Sequence, residues 1–95
     1  MNGFIPVEEA QALLDQGAVV VDVRTLPEWN EGHGPSLFLP LDQLEARLHE
    51  LPKDKVLLMV CRSGARSGNA ANWLRAQGYQ AYNLGPWQRS PLVQE

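Results

Sequence analysis

Two short stretches of the chain, A-V-V-V-D-V at residues 18–23 and V-L-L-M-V at residues 56–60, are almost continuously apolar, the first of them rich in valine. A strand with one wet face alternates polar and apolar side chains. Runs without that alternation read as strands covered on both faces, which is the situation of a parallel sheet. Segments of helical character lie before, between and after them. Strands separated by helices connect through right-handed crossovers, so the expected class is α/β, with a small, mostly parallel sheet and helices on both faces.

The remaining elements follow from punctuation and period. Ile5 to Gln16 is predicted as the first helix: Pro6 lies near its first turn, Glu8 and Glu9 complement the positive end of the dipole, Val7, Ala10, Leu13 and Leu14 share one side, and Gly17 stops it. Pro27 to Glu31 is expected to be a short helical turn, and Leu37 to Leu39 a brief strand before Pro40. Leu41, Leu44, Leu48 and Leu51 have helical spacing, Asp42 and Glu45 suit a capping box, and Pro52 ends that helix. Ser67 to Gln77 is the next helix, with Ala70, Ala71 and Leu74 inward and Gly78 as its C-terminal signal; Tyr79 to Leu84 is the last strand. Ninety-five residues at 44% hydrophobic suffice for one small core. A single domain over residues 1–95 is therefore expected.

Composition excludes several classes. No run approaches the roughly 18 apolar residues of a membrane span, and M-N-G-F-I-P-V-E-E lacks the basic flank and apolar core of a signal peptide. A cytoplasmic location is expected. The single cysteine cannot form an internal disulfide, and with no second cysteine neither a structural zinc nor any other metal or cofactor is expected. The thiol should be free and reduced. A formal net charge of -3 argues against nucleic acid or an anionic membrane as partner. That charge is unevenly spread: Arg62, Arg66, Arg75 and Arg89 face only Glu95 after residue 55, whereas ten acids outnumber four bases over residues 1–55.

Cys61 stands in the basic half, where the run 56–60 ends and the turn Arg62 to Arg66 feeds a helix. In open α/β sheets the carboxyl edge of the strands is where ligands bind. Successive amide N–H groups of such a turn converge into a nest, and the following helix adds its positive end. Gly64 lets the turn visit positive φ. A thiol at that focus, beside Arg62 and Arg66, should be depressed in pKa and act as a nucleophilic thiolate.

The segments G-A-V-V-V-D-V-R-T-L-P-E-W-N-E-G-H, residues 17–33, and V-L-L-M-V-C-R-S-G-A-R-S-G-N-A-A-N-W-L-R-A-Q-G-Y, residues 56–79, followed by Asn83, Leu84 and Gly85, carry a resemblance that runs from about Ile5 to Gly85. The chain resembles the single-domain rhodaneses, which are thiosulfate or persulfide sulfurtransferases. The resemblance implies that Cys61 attacks the outer sulfur of a small anionic donor such as thiosulfate, releases sulfite and becomes a persulfide. It implies a thiol or cyanide as acceptor, a thioredoxin-like protein among the thiols. By the same resemblance Arg62, Ser63, Gly64, Ala65, Arg66 and Ser67 bind the substrate through an amide cradle around the outer sulfur, with Arg62 on the sulfonate and Arg66 bracing the loop. Asp22, at the end of the neighbouring strand, is the expected partner of Arg66, because a carboxylate near the core needs one.

Other residues have plainer readings. His33 precedes a Gly-Pro turn and has no spacing relation to Cys61, so it is read as structural; His49, between acids, is read as solvated. Asp22 and Arg24 could form a structural network with Glu28, and Trp29, Trp73 and Trp87 are read as packing. Two segments depart from the rhodanese pattern. Gly34 to Pro40 is about one residue short of it, and Pro86 stands where a second glycine is usual, so 86–95 is expected to be an irregular tail whose rim over the site differs. Two alternatives stay open: a non-catalytic binding or regulatory module, and a cysteine-loop phosphatase or arsenate reductase. Against the second stands the spacing C-x4-R from Cys61 to Arg66, since cysteine phosphatases have C-x5-R and a wider ring of amides.

Overall fold

A computed structural model describes residues 3–93 of the chain. The elements follow in the order α1 (Val7–Asp15), β1 (Val19–Asp22), α2 (Leu26–Asn30), β2 (Leu37–Phe38), β3 (Val56–Cys61), α3 (Ala65–Ala76) and β4 (Gln80–Pro86), with short 3-10 turns at Leu41–Gln43, Leu48–Glu50 and Trp87–Arg89. The strands form one four-stranded sheet in the order β2-β1-β3-β4, and every neighbouring pair is parallel. The two apolar runs are thus the two inner strands.

Strand period sorts their side chains onto two faces. Val21, Val23, Leu57, Met59, Cys61 and Ala81 pack with Ala70, Ala71 and Leu74 of α3. Val20, Leu58, Val60 and Leu84 pack on the other face with Ala10 of α1. Helices therefore cover both faces, as the unalternating runs require. The thiol of Cys61 belongs to the α3 face, and this alternation is what aims it at the start of that helix.

One predicted element differs. In place of a helix through Leu41 to Leu51 there are two separate 3-10 turns; Pro40 precedes the first, and no side chain caps it, so the Asp42–Glu45 capping box does not form. The leucines explain the difference, because they come in two pairs spaced by three, Leu41 with Leu44 and Leu48 with Leu51. A 3-10 turn puts residues i and i+3 on one side. Leu44 and Leu51 are buried in this way and their partners lie against the same cluster.

The C-terminal segment is more regular than expected. β4 continues through Pro86, and Trp87–Arg89 forms a 3-10 turn whose Trp87 packs against the α1-side cluster. Pro86 is tolerated because β4 is an edge strand, where a missing donor costs little. Residues 94 and 95 of the expected tail lie outside the described residues.

Candidate active site around Cys61

β3 delivers Cys61 to the carboxyl edge of the sheet, and the chain turns into α3 within Arg62–Gly64. The helix begins at Ala65, two residues earlier than the sequence suggests, so the expected turn residues Ala65 and Arg66 are its first turn. Gly64 precedes it at φ 99°, in the left-handed region that favours glycine. It contributes no capping side chain, which leaves the first amides of α3 without an ordinary cap. The cysteine sulfur fills that role: the Gly64 N–H donates to Sγ at 3.0 Å and the Ser67 N–H at 3.4 Å. Sulfur stands where a helix N-cap oxygen would.

The consequence is electrostatic. Burial pushes the fully buried Cys61 thiol up, but its contacts with Ser67 and the backbone N–H groups of Gly64 and Ser63 pull it down, and the result lies below the ordinary cysteine value. The first turn of α3 contains no acid to oppose them. The Gly64 and Ser67 amides bond to Sγ and the Ser63 N–H adds to their pull, while Arg62, Ala65 and Arg66 complete the loop.

The two arginines part company. Arg62 is exposed, makes no ion pair among the described residues, and lines a cavity of about 230 Å³ together with Arg24, Glu28, Glu31, Gly32, Trp87 and Gln88. Arg66 is committed: its Nη1 and Nη2 donate to Glu28 Oε1 and Oε2 at 2.8 and 2.9 Å. The expected Arg66–Asp22 pair does not form. Asp22 follows Val21 and precedes Val23, both on the α3 face, so the strand period turns its carboxylate to the opposite side, away from α3. There it binds Arg24, whose Nε donates to Oδ1 at 3.0 Å and Nη2 to Oδ2 at 2.9 Å. Arg24 in turn donates to the carbonyls of Glu28 and Gly32, tying the α2 segment to the end of β1.

Glu28 is the site residue that the sequence reading leaves unplaced as a brace. Its signal is the pattern T-L-P-E: the Thr25 N–H donates to Glu28 Oε1 at 2.9 Å while Thr25 Oγ1 accepts from the Glu28 N–H, a capping box on α2. Bonds from Arg66 and Thr25 hold the Glu28 carboxyl down to about 2. His33 is structural: Nδ1 donates to the Trp29 carbonyl at 2.8 Å, and the ring stacks on Trp29. No cluster of metal-binding side chains exists among the described residues.

The family model described as a rhodanese-like domain matches residues 6–85. The chain belongs to that family. Among relatives of the rhodanese-like domain, a protein of Pseudomonas syringae named thiosulfate sulfurtransferase GlpE is 42% identical over 76 residues, which are 79% of this chain and 72% of that one. A solved rhodanese homolog from the extreme thermophile Thermus thermophilus is 37% identical with a TM-score of 0.71, the match covering 92% of this chain and 96% of the other. The domain also matches reduced Bacillus anthracis CoADR-RHD, at 31% identity and a TM-score of 0.78, over 90% of its own length but only 16% of that chain. The same rhodanese-like unit thus occurs within longer proteins.

Proposed function

We propose that the chain is a sulfurtransferase that moves sulfane sulfur from thiosulfate or a related donor to cyanide or a thiol through a persulfide on Cys61. The observation that carries this reading is the sulfur-centred cap, with the Gly64 and Ser67 amides donating to Sγ at the start of α3. A relative named as a thiosulfate sulfurtransferase supports the choice of donor. The cradle stabilises the thiolate before reaction and the anionic persulfide after it.

The reaction balances without a redox partner. The Cys61 thiolate forms a bond to the outer sulfur of thiosulfate, the original S–S bond breaks, and its electron pair leaves with sulfite. Cyanide carbon, or an acceptor thiolate, then bonds to the outer sulfur of the persulfide, and the second S–S bond returns its pair to Cys61 as thiolate. In this reading Arg62, which forms no ion pair among the described residues and lines the cavity beside α2, binds the donor's sulfonate. Ser63, Gly64, Ala65, Arg66 and Ser67 shape the ring, with Arg66 held through Glu28. Asp22 supports the site indirectly, through Arg24. A free thiolate of this kind suits a reducing compartment such as the cytoplasm.

The test is an intact mass spectrum. Thiosulfate should add the mass of one sulfur atom to the wild type, cyanide should remove it, and Cys61→Ser should show neither change. Sulfur transfer that survives in Cys61→Ser overturns the mechanism. So does Cys61-dependent turnover of an aryl phosphate by the unmodified chain, since the C-x4-R ring should be too narrow for a tetrahedral oxyanion.

A further inference from the structure

The back of the Cys61 loop is held by a residue with no assigned role. Asn83, on β4, uses its whole carboxamide: Nδ2 donates to the Gly64 carbonyl at 2.9 Å, while Oδ1 accepts from Ser67 Oγ at 2.7 Å and from the Gly85 N–H at 3.0 Å. The orientation of the amide is fixed by its partners, because the Gly64 carbonyl can only accept and the Gly85 N–H can only donate. Gly64 and Ser67 are also the two residues whose amides bond to Cys61 Sγ. One side chain therefore grips both donors of the cradle from behind.

The fold makes special provision for this contact. The register of β4 on β3 shifts between Met59 and Val60, so that Met59 pairs with Asn83 and Val60 with Gly85. Such an irregularity re-aims a side chain. Here the Gly85 N–H just past the shift bends back onto the Asn83 carboxamide. The Asn83 backbone carbonyl is itself pinned by the Ile5 N–H at 3.0 Å. On α3, Gly68 leaves room for the amide: a Cβ there would meet Asn83 Nδ2 at 3.0 Å.

We propose that Asn83 is a positioning residue for the sulfur cradle, clamping Gly64 and Ser67 so that their N–H groups stay aimed at the Cys61 sulfur. The proposal rests on the sulfur-transfer reading only for its effect on turnover; the aim of the amides is a property of the resting loop. The charged groups around that loop are Arg62 within it, Arg66 on α3 with its partner Glu28 from α2, and the Asp22–Arg24 pair at the end of β1. Asn83 is neutral and acts on the amides, not on this charge balance. The Ser67 hydroxyl has one proton, and while it serves Asn83 it is withheld from the sulfur.

Two variants test the clamp from opposite sides. Asn83→Ala removes the carboxamide, and Gly68→Ala sets a methyl group tightly against its nitrogen, so that the amide must shift slightly, while favouring the helix. Because Cys61 is the only cysteine, the pH profile of alkylation by iodoacetamide reads its thiolate directly, and melting curves taken in parallel identify a variant that has lost its fold. Both variants should move the profile to higher pH and slow alkylation at neutral pH, by roughly three- to tenfold for Asn83→Ala. In thiosulfate turnover kcat should fall more than KM rises. If Asn83→Ala does not fold, Gly68→Ala decides. An unchanged profile, or one moved to lower pH as a freed Ser67 hydroxyl would cause, overturns the clamp. A wild type that takes up no sulfur while both variants shift the profile would sink the sulfur-transfer reading and leave the clamp standing.

Discussion

Two ion pairs lie at the carboxyl edge of the sheet, and they differ in almost every respect. Asp22 and Arg24 are two positions apart, with side chains only 1% and 4% exposed, and the carboxylate also accepts from the Arg24 backbone N–H at 3.0 Å. Glu28 and Arg66 are 38 positions apart, and their side chains are 19% and 34% exposed. A buried pair is tolerable only when every polar atom is satisfied, and among the described residues no buried side-chain nitrogen or oxygen lacks a partner. The outer pair is only half-buried and carries less of that obligation, and water screens it in part. The inner pair therefore fixes architecture, whereas the outer pair joins two parts of the site that are distant in the sequence: the α2 cap and the cysteine loop.

The largest effect should come from breaking the inner pair. Asp22→Ala strands the Arg24 guanidinium in the interior and should cost about 3–5 kcal/mol of stability, the usual loss when one partner of a buried pair is removed. Urea unfolding measures it directly. A loss no greater than that of Glu28→Ala would mean that Arg24 finds water once its partner is gone, and the contrast between the pairs would collapse.

How these pairs form is only partly legible in the sequence. The unalternating runs announce a parallel sheet with two covered faces, and the C-R-S-G-A-R segment announces a strand-to-helix turn with glycine at positive φ. But a uniform run such as V-V-V-D-V does not display which face its one acid takes. Only the alternation of Val21 and Val23 onto the α3 face shows that Asp22 must turn away from Arg66. The T-L-P-E pattern at Thr25–Glu28 signals a helix cap, yet nothing local to it signals a second partner on α3. Leucines spaced 3, 4 and 3 fit a helix and a pair of 3-10 turns equally well in one dimension. The register shift beside Asn83 depends on two strands at once, so neither strand's sequence contains it.

A third arginine sharpens the comparison, because Arg62 has no carboxylate partner at all among the described residues. If it is reserved for the donor's sulfonate, Arg62→Ala should raise the KM for thiosulfate, with a loss in kcat/KM of roughly 1.5–3 kcal/mol for a charged hydrogen bond. The melting temperature should stay within a degree or so of the wild type, since surface substitutions usually change stability little. Steady-state kinetics beside a melting curve separates the two readouts. A KM that does not move would remove Arg62 from the donor site.

The smallest effect belongs to the outer pair, and pH exposes it. Glu28 titrates at about 2 in the fold instead of 4.5, chiefly because Arg66 and then Thr25 bond to its carboxylate. A depressed folded pKa means that the ionised form is favoured by folding, so the stabilisation is fully present above about 4.5 and is lost as pH falls towards 2. Solvent screening keeps the contribution below about 1 kcal/mol. Glu28→Gln should therefore melt slightly below the wild type at pH 7, and the gap between the two curves should close as the pH is lowered through that window. A gap that stays constant down to pH 2 would mean that the Glu28 charge is not what holds Arg66, and that the neutral capping-box contacts with Thr25 suffice to keep α2 against the cysteine loop.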